Sequence, residues 1–82
     1  ALERQEVESE AREEATSRLA SLTPRERQVF EALIDGKSNK EIAISLSISP
    51  RTVEIFRAKV MQKMQATSLS MLVRMGLRCA EV

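Results

Sequence analysis

The sequence predicts an all-α fold of four short helices preceded by an N-terminal linker helix, and three observations carry that prediction. Helix starts are written into the chain three times, at Thr23-Pro24, Ser38-Asn39 and Ser49-Pro50; each opens with a side-chain oxygen able to accept an otherwise unpaired N–H of the first turn. Between these starts, apolar residues recur every three or four positions rather than in alternation. With only two aromatics, Phe30 and Phe56, and two glycines in 82 residues, the chain is poor in strand and hairpin residues, so a core of Leu, Ile, Val and Met is expected. A chain of this length closes one small core, with room for an appendage.

That appendage is residues 1–21, which contain no Pro or Gly and are rich in Glu, Arg and Ala, a helical composition. Its apolar positions Val7, Ala11, Ala15 and Leu19, continued by Leu22, recur roughly every four residues, a stripe too narrow and alanine-rich for a coiled coil. A linker helix with a weak pairing seam is expected there, and a separate domain over 22–82. Because the chain begins with Ala inside a charged segment, it is expected to be a piece of a longer protein.

The first helix of the domain starts at Thr23-Pro24-Arg25-Glu26, where a hydroxyl and a Glu three residues on form a capping box. Pro24 takes the first helical position, where its missing N–H costs nothing. Val29, Phe30, Leu33 and Ile34 then share a face before Asp35-Gly36 ends the helix. Ser38-Asn39-Lys40-Glu41 repeats the box and opens a second helix over about 39–46, with Ile42, Ala43 and Leu46 inward. Only Ser47-Ile48-Ser49 separate Leu46 from Pro50. Three residues force a sharp turn, with Ile48 as its anchor in the core. A third helix of about 50–65, a break at Gln65-Ala66-Thr67-Ser68 and a fourth helix of about 69–79 complete the chain, and helices two and three make a helix-turn-helix candidate.

The third helix carries the functional signal. At about 100° per residue with Val53 pointing to the core, Phe56, Val60 and Met64 fall within about 60° of that direction. Arg51, Ile55, Ala58 and Gln62 lie opposite, with Glu54 and Lys59 on the flanks. The outward stripe thus joins a bidentate donor (Arg51), an acceptor (Glu54), a methyl surface (Ile55) and a gap (Ala58). Arg bonds guanine O6 and N7, Glu accepts from cytosine N4, and an apolar group meets the thymine methyl, so these are base-reading groups for a major groove. Lys40, Arg57, Lys59 and Lys63 around them are suited to phosphates. Charge agrees: residues 1–22 hold six Glu and three Arg, a net −3, while residues 23–82 hold ten Lys/Arg and six Asp/Glu, a net +4.

From Leu22 to Met64 the run "LTPRERQVFEALIDGKSNKEIAISLSISPRTVEIFRAKVMQKM" resembles the LuxR-type helix-turn-helix, specifically the output domain of two-component response regulators of the NarL/FixJ type. The matching stretches are Leu22–Arg27, Asn39–Ala43, Ser49–Val53 and Lys63-Met64, and the likeness covers about residues 22–80. The chain departs from the pattern at Phe56, where the family often has His, and in a turn without glycine, where Ser47 must supply the backbone conformation. The resemblance implies a transcriptional regulator of the bacterial cytoplasm that inserts the third helix in the major groove. Its base-reading positions match Glu54, Ile55 and Ala58, and its backbone contacts match Thr52 and Lys59. It further implies a homodimer through the fourth helix, with Ser70, Met71, Arg74, Leu77 and Arg78 outward and Leu69, Leu72, Val73 and Gly76 inward. The implied partners are double-stranded DNA with an inverted-repeat operator, RNA polymerase, and a receiver domain that lies outside this chain.

Other classes fare worse. An enzyme is not expected: the chain has no His, no glycine-rich phosphate loop and no carboxylate pair in an apolar setting. Asp35 beside Gly36 is a helix-end residue, and the single Cys79 excludes an internal disulfide or a Cys-based metal cluster and fits a packing role. No cofactor, metal, signal peptide or membrane span is expected. Two alternatives remain at this point. The promoter-recognition region of a sigma factor shares the same rhythm but ends soon after its recognition helix. A helical protein-interaction module would use the acidic segment for pairing and would not bind DNA.

Overall fold

A computed structural model of the chain describes Glu10 and residues 13–80, the side chains of 78–80 excepted. Among these residues five helices follow one another: α1 over 13–20, then α2 (Pro24–Ile34), α3 (Asn39–Leu46), α4 (Pro50–Lys63) and α5 (Leu69–Ala80). No strand occurs among the described residues.

Both capping boxes form. The Thr23 N–H donates to Glu26 Oε1 at 2.9 Å while Thr23 Oγ1 accepts from the Glu26 N–H. At α3 the Ser38 N–H donates to Glu41 Oε1 at 3.1 Å, and Ser38 Oγ accepts from the Glu41 N–H. Ser49 Oγ takes the Thr52 N–H at the start of α4, and Ser68 Oγ takes the Met71 N–H at the start of α5. These side chains satisfy N–H groups that no helical carbonyl reaches.

Three helix ends close alike. In each, one residue adopts a left-handed conformation and the next N–H folds back over the last turn: Gly36 with Lys37 N–H to Ala32 O, Ser47 with Ile48 N–H to Ala43 O, and Gln65 with Ala66 N–H to Met61 O. Only the first uses glycine; Ser47 (φ 57°) and Gln65 (φ 54°) accept the steric penalty of a Cβ. The left-handed Gln65 ends α4 at Lys63, two residues short of the expected 65.

One core binds the helices. Val29, Phe30 and Leu33 of α2 meet Ile42 and Ala43 of α3, Val53 and Val60 of α4, and Leu72 and Met75 of α5. Ile48 packs against this core from the turn, as expected of an anchor. Gly76 lets α5 lie close on α2: a Cβ there would stand 3.0 Å from Ile34 Cδ1 and 3.3 Å from Phe30 Cζ.

Two expectations need revision. Ala15, Leu19 and Leu22 are buried members of the core, so the described part of the linker packs on the domain through the seam expected to be a weak pairing one. Val7 and Ala11 lie outside the described residues. Leu69, expected inward, is 39% exposed. It sits at the first helical position, one turn before the buried Leu72, and Ser70 and Met71 beside it are exposed as well. Val73 is half-buried.

The left-handed ends give a stability test. Gln65→Gly removes the Cβ penalty at an exposed site and is expected to raise stability by about 0.5–1 kcal/mol in chemical denaturation. A loss of stability would mean that Gln65 makes a compensating contact.

Candidate nucleic-acid interface

The turn and its two helices set the interface. Ser47, Ile48 and Ser49 close α3, anchor the turn and cap α4 in succession. Val53 and Val60 are buried, so the opposite side of α4 must face solvent. Arg51, Glu54, Ile55, Ala58, Lys59 and Gln62 are all exposed there, with Ile55 52% open. No hydrogen bond or ion pair engages the side chains of Arg51, Glu54 or Lys59 with other described residues. Their polar ends are free for a partner. By contrast, surface charges on α1 and α2 pair along their own helices, Arg18 with Glu14 and Arg27 with Glu31.

Of the expected phosphate contacts, Lys40 is exposed in the first turn of α3. Thr52 is half-buried, its hydroxyl 2.8 Å from Ser49 Oγ. Arg57 is also half-buried and directs Nη1 to Asn39 Oδ1 at 3.4 Å, tying the middle of α4 to the start of α3.

Lys63 is engaged within the domain. Its ammonium donates to Glu26 Oε1 at 2.7 Å, a carboxylate whose side chain is only 4% exposed, and it reaches the Ser21 carbonyl at 3.5 Å. Its cationic type beside the outward stripe suggested a phosphate contact; in the structure a buried acid holds the ammonium. On the helical wheel Lys63 lies about 80° from the core direction, against about 120° for Lys59.

On α5, Ser70, Met71 and Arg74 are exposed and, with Glu14, Ala15 and Arg18 of α1, line a groove of about 470 Å³. Leu77 stands 60% exposed. Arg78, the last of the expected dimer residues, has its side chain outside the described set.

A short helix, a three-residue turn and a longer helix with an unpaired, chemically mixed outer stripe define a helix-turn-helix DNA-binding domain. Residues 20–76 match the model of the luxR family of bacterial regulatory proteins, and the chain belongs to that family. The transcriptional regulatory protein FixJ of Bradyrhizobium diazoefficiens is 61% identical over 66 residues, 80% of this chain and 32% of the relative. The tetrathionate response regulatory protein TtrR of Salmonella typhimurium is 47% identical over 64 residues, 78% of this chain and 31% of the relative. Among solved structures, full-length FixJ from B. japonicum superimposes with a TM-score of 0.78 at 53% identity, over 90% of this chain and 38% of that one. The chain therefore spans about a third of the length of these relatives.

The Glu26 site also predicts a pH response. The Lys63 hydrogen bond, then the Thr23 N–H, hold the Glu26 carboxyl below its ordinary value against the opposing effect of burial. The Ser38 N–H does the same for Glu41. A carboxylate depressed by folding contributes stability that is complete above the ordinary glutamate range and is lost as pH falls through the folded value. Stability should decline as pH falls below the ordinary glutamate range, and Glu26→Gln should flatten that decline. Parallel pH profiles for the two proteins in urea denaturation would assign the loss to other groups.

Proposed function

We propose that the chain is the output domain of a two-component response regulator, a transcriptional regulator that reads DNA with α4 in the major groove. The observation carrying the groove reading is the exposed stripe of α4, whose donor, acceptor and methyl groups have no partner among the described residues. Arg51, Glu54, Ile55 and Ala58 read base edges; Lys40, Thr52, Arg57 and Lys59 hold phosphates. The work is binding rather than catalysis, and as a bacterial regulator it acts in the cytoplasm, with RNA polymerase as its onward partner.

The relatives' names support the response-regulator origin, and their additional length leaves room for a receiver domain preceding residues 1–21. The run of family residues into α5 disfavours a sigma-factor region, and the free stripe disfavours a protein-interaction module without DNA.

Reading and positioning separate by mutation. Lys59→Ala should weaken binding to every sequence alike and lower the salt slope by about one unit. Glu54→Ala or Ile55→Ala should cost about 1–3 kcal/mol on the preferred site and little elsewhere. Titration against a site selected from random DNA, and against its single-base variants at two salt concentrations, measures both. One common loss factor for all three variants would remove the stripe from the reading surface.

Assembly is tested on α5. Two copies joined through Ser70, Met71, Arg74 and Leu77 would present their α4 helices to half-sites whose centres are about 10 bp apart, or a multiple of that. Leu77→Glu should reduce DNA affinity without lowering the unfolding midpoint. Selected sites that are single, asymmetric and bound by one chain would exclude the dimer.

A further inference from the structure

The recognition helix is held at two ends by different means. At its start, Ser49 caps it and the Ile48 anchor fixes the turn; further along, Arg57 ties it to Asn39. At its finish the only polar tether among the described residues is Lys63. That ammonium meets the Glu26 oxygen that already closes the α2 capping box, so a single carboxylate oxygen takes the Thr23 N–H at 2.9 Å and Lys63 at 2.7 Å. The Ser21 carbonyl, in the turn that ends α1, stands 3.5 Å from the same ammonium. The last turn of α4 is thereby referenced to the start of α2 and the end of α1.

We propose that Lys63 and Glu26 are a positioning pair for DNA reading: their contact sets the tilt of α4, and through Ser21 that tilt depends on how α1 is seated. The proposal rests on the α4 reading given above. Its physical basis is leverage. Fourteen residues make α4 about 20 Å long, so with the turn as pivot a slip of about 2 Å at Lys63 moves Ile55 by about 1 Å. Functional side chains need placement within about 0.5 Å, so such a swing degrades base contacts while phosphates, met by long flexible side chains, still bind. The pair's geometry ties it to function differently from a phosphate contact, since Lys63 offers DNA no free charge while Glu26 holds it.

The test uses Lys63→Met, Glu26→Gln, the double variant and Lys63→Arg, each titrated against the selected site and a non-specific duplex at two salt concentrations. Amide exchange of residues 60–63 without DNA is measured in parallel. Either single change should lower the ratio of specific to non-specific affinity by about tenfold, with an unchanged salt slope. The double variant should be no worse than the singles, and Lys63→Arg should restore most of the ratio. Exchange at 60–63 should quicken in Lys63→Met while that of 53–56 stays slow. A uniform loss on all duplexes with a smaller salt slope would make Lys63 a phosphate contact and overturn the proposal. A lower unfolding midpoint with an intact ratio would reduce the pair to a structural role and overturn it too. If the unaltered chain shows no preference among sequences, the α4 reading fails, and unchanged exchange at 60–63 would separately sink the tether.

Discussion

Between Leu46 and Pro50, three residues satisfy the carbonyls left open by one helix, plant an anchor in the core and cap the next helix. Ser47 turns left-handed, the Ile48 N–H returns to Ala43 O at 3.0 Å, and Ser49 Oγ accepts the Thr52 N–H at 3.1 Å. Helices of 8 and 14 residues are marginal in water by themselves, so their relative setting comes from this joint and the core beneath it. Were the joint longer, α4 could roll about its axis and a different face would be outward. The short turn removes that freedom, which is why Val53 and Val60 end fully buried and the mixed stripe ends exposed.

The same economy of satisfied ends runs through the fold. Four side-chain oxygens, from Thr23, Ser38, Ser49 and Ser68, cap the starts of α2 to α5. Three left-handed residues close the ends of α2, α3 and α4. Glu26 goes further, because the charge that completes a cap at α2 also neutralises Lys63 across 37 positions of sequence. A buried carboxylate is tolerated only when paired and hydrogen-bonded, and here one oxygen receives both partners.

What could be read from the sequence was local. Caps and boxes act between residues three apart, so Thr23-Glu26 and Ser38-Glu41 announce themselves, and one helical wheel separates Val53, Val60 and Met64 from Arg51, Glu54 and Ile55. What stayed hidden was set by contacts distant in the chain. Residue type gave Lys63 a phosphate, whereas Glu26, brought near by packing, holds it. The alanine-rich seam was legible as a stripe, but the packing of its described members, Ala15 and Leu19, on the domain's own core was not. The resemblance put Leu69 inward, whereas the first turn of α5, Leu69 included, is exposed.

On the proposed reading, the composition of the stripe bears on what a second copy would add. An acid at Glu54 is repelled by phosphates on every sequence and is compensated only where a base offers a donor, so it adds discrimination at the expense of general affinity. With Lys63 neutralised by Glu26, fewer cations remain near α4 to offset that repulsion, chiefly Arg51, Lys59, Lys40 and Arg57. A single small module buries only about 600–1,000 Å² on DNA. Weak general attraction combined with selective base contacts is the regime in which joining two modules raises affinity most at the correct site, because the second copy binds at the effective concentration set by the first. On the proposed reading, the exposed Met71 and Leu77 of α5 and the acid on α4 are therefore two parts of one arrangement: the acid makes a lone domain a poor binder of arbitrary DNA, and pairing restores affinity only where two half-sites are correctly spaced.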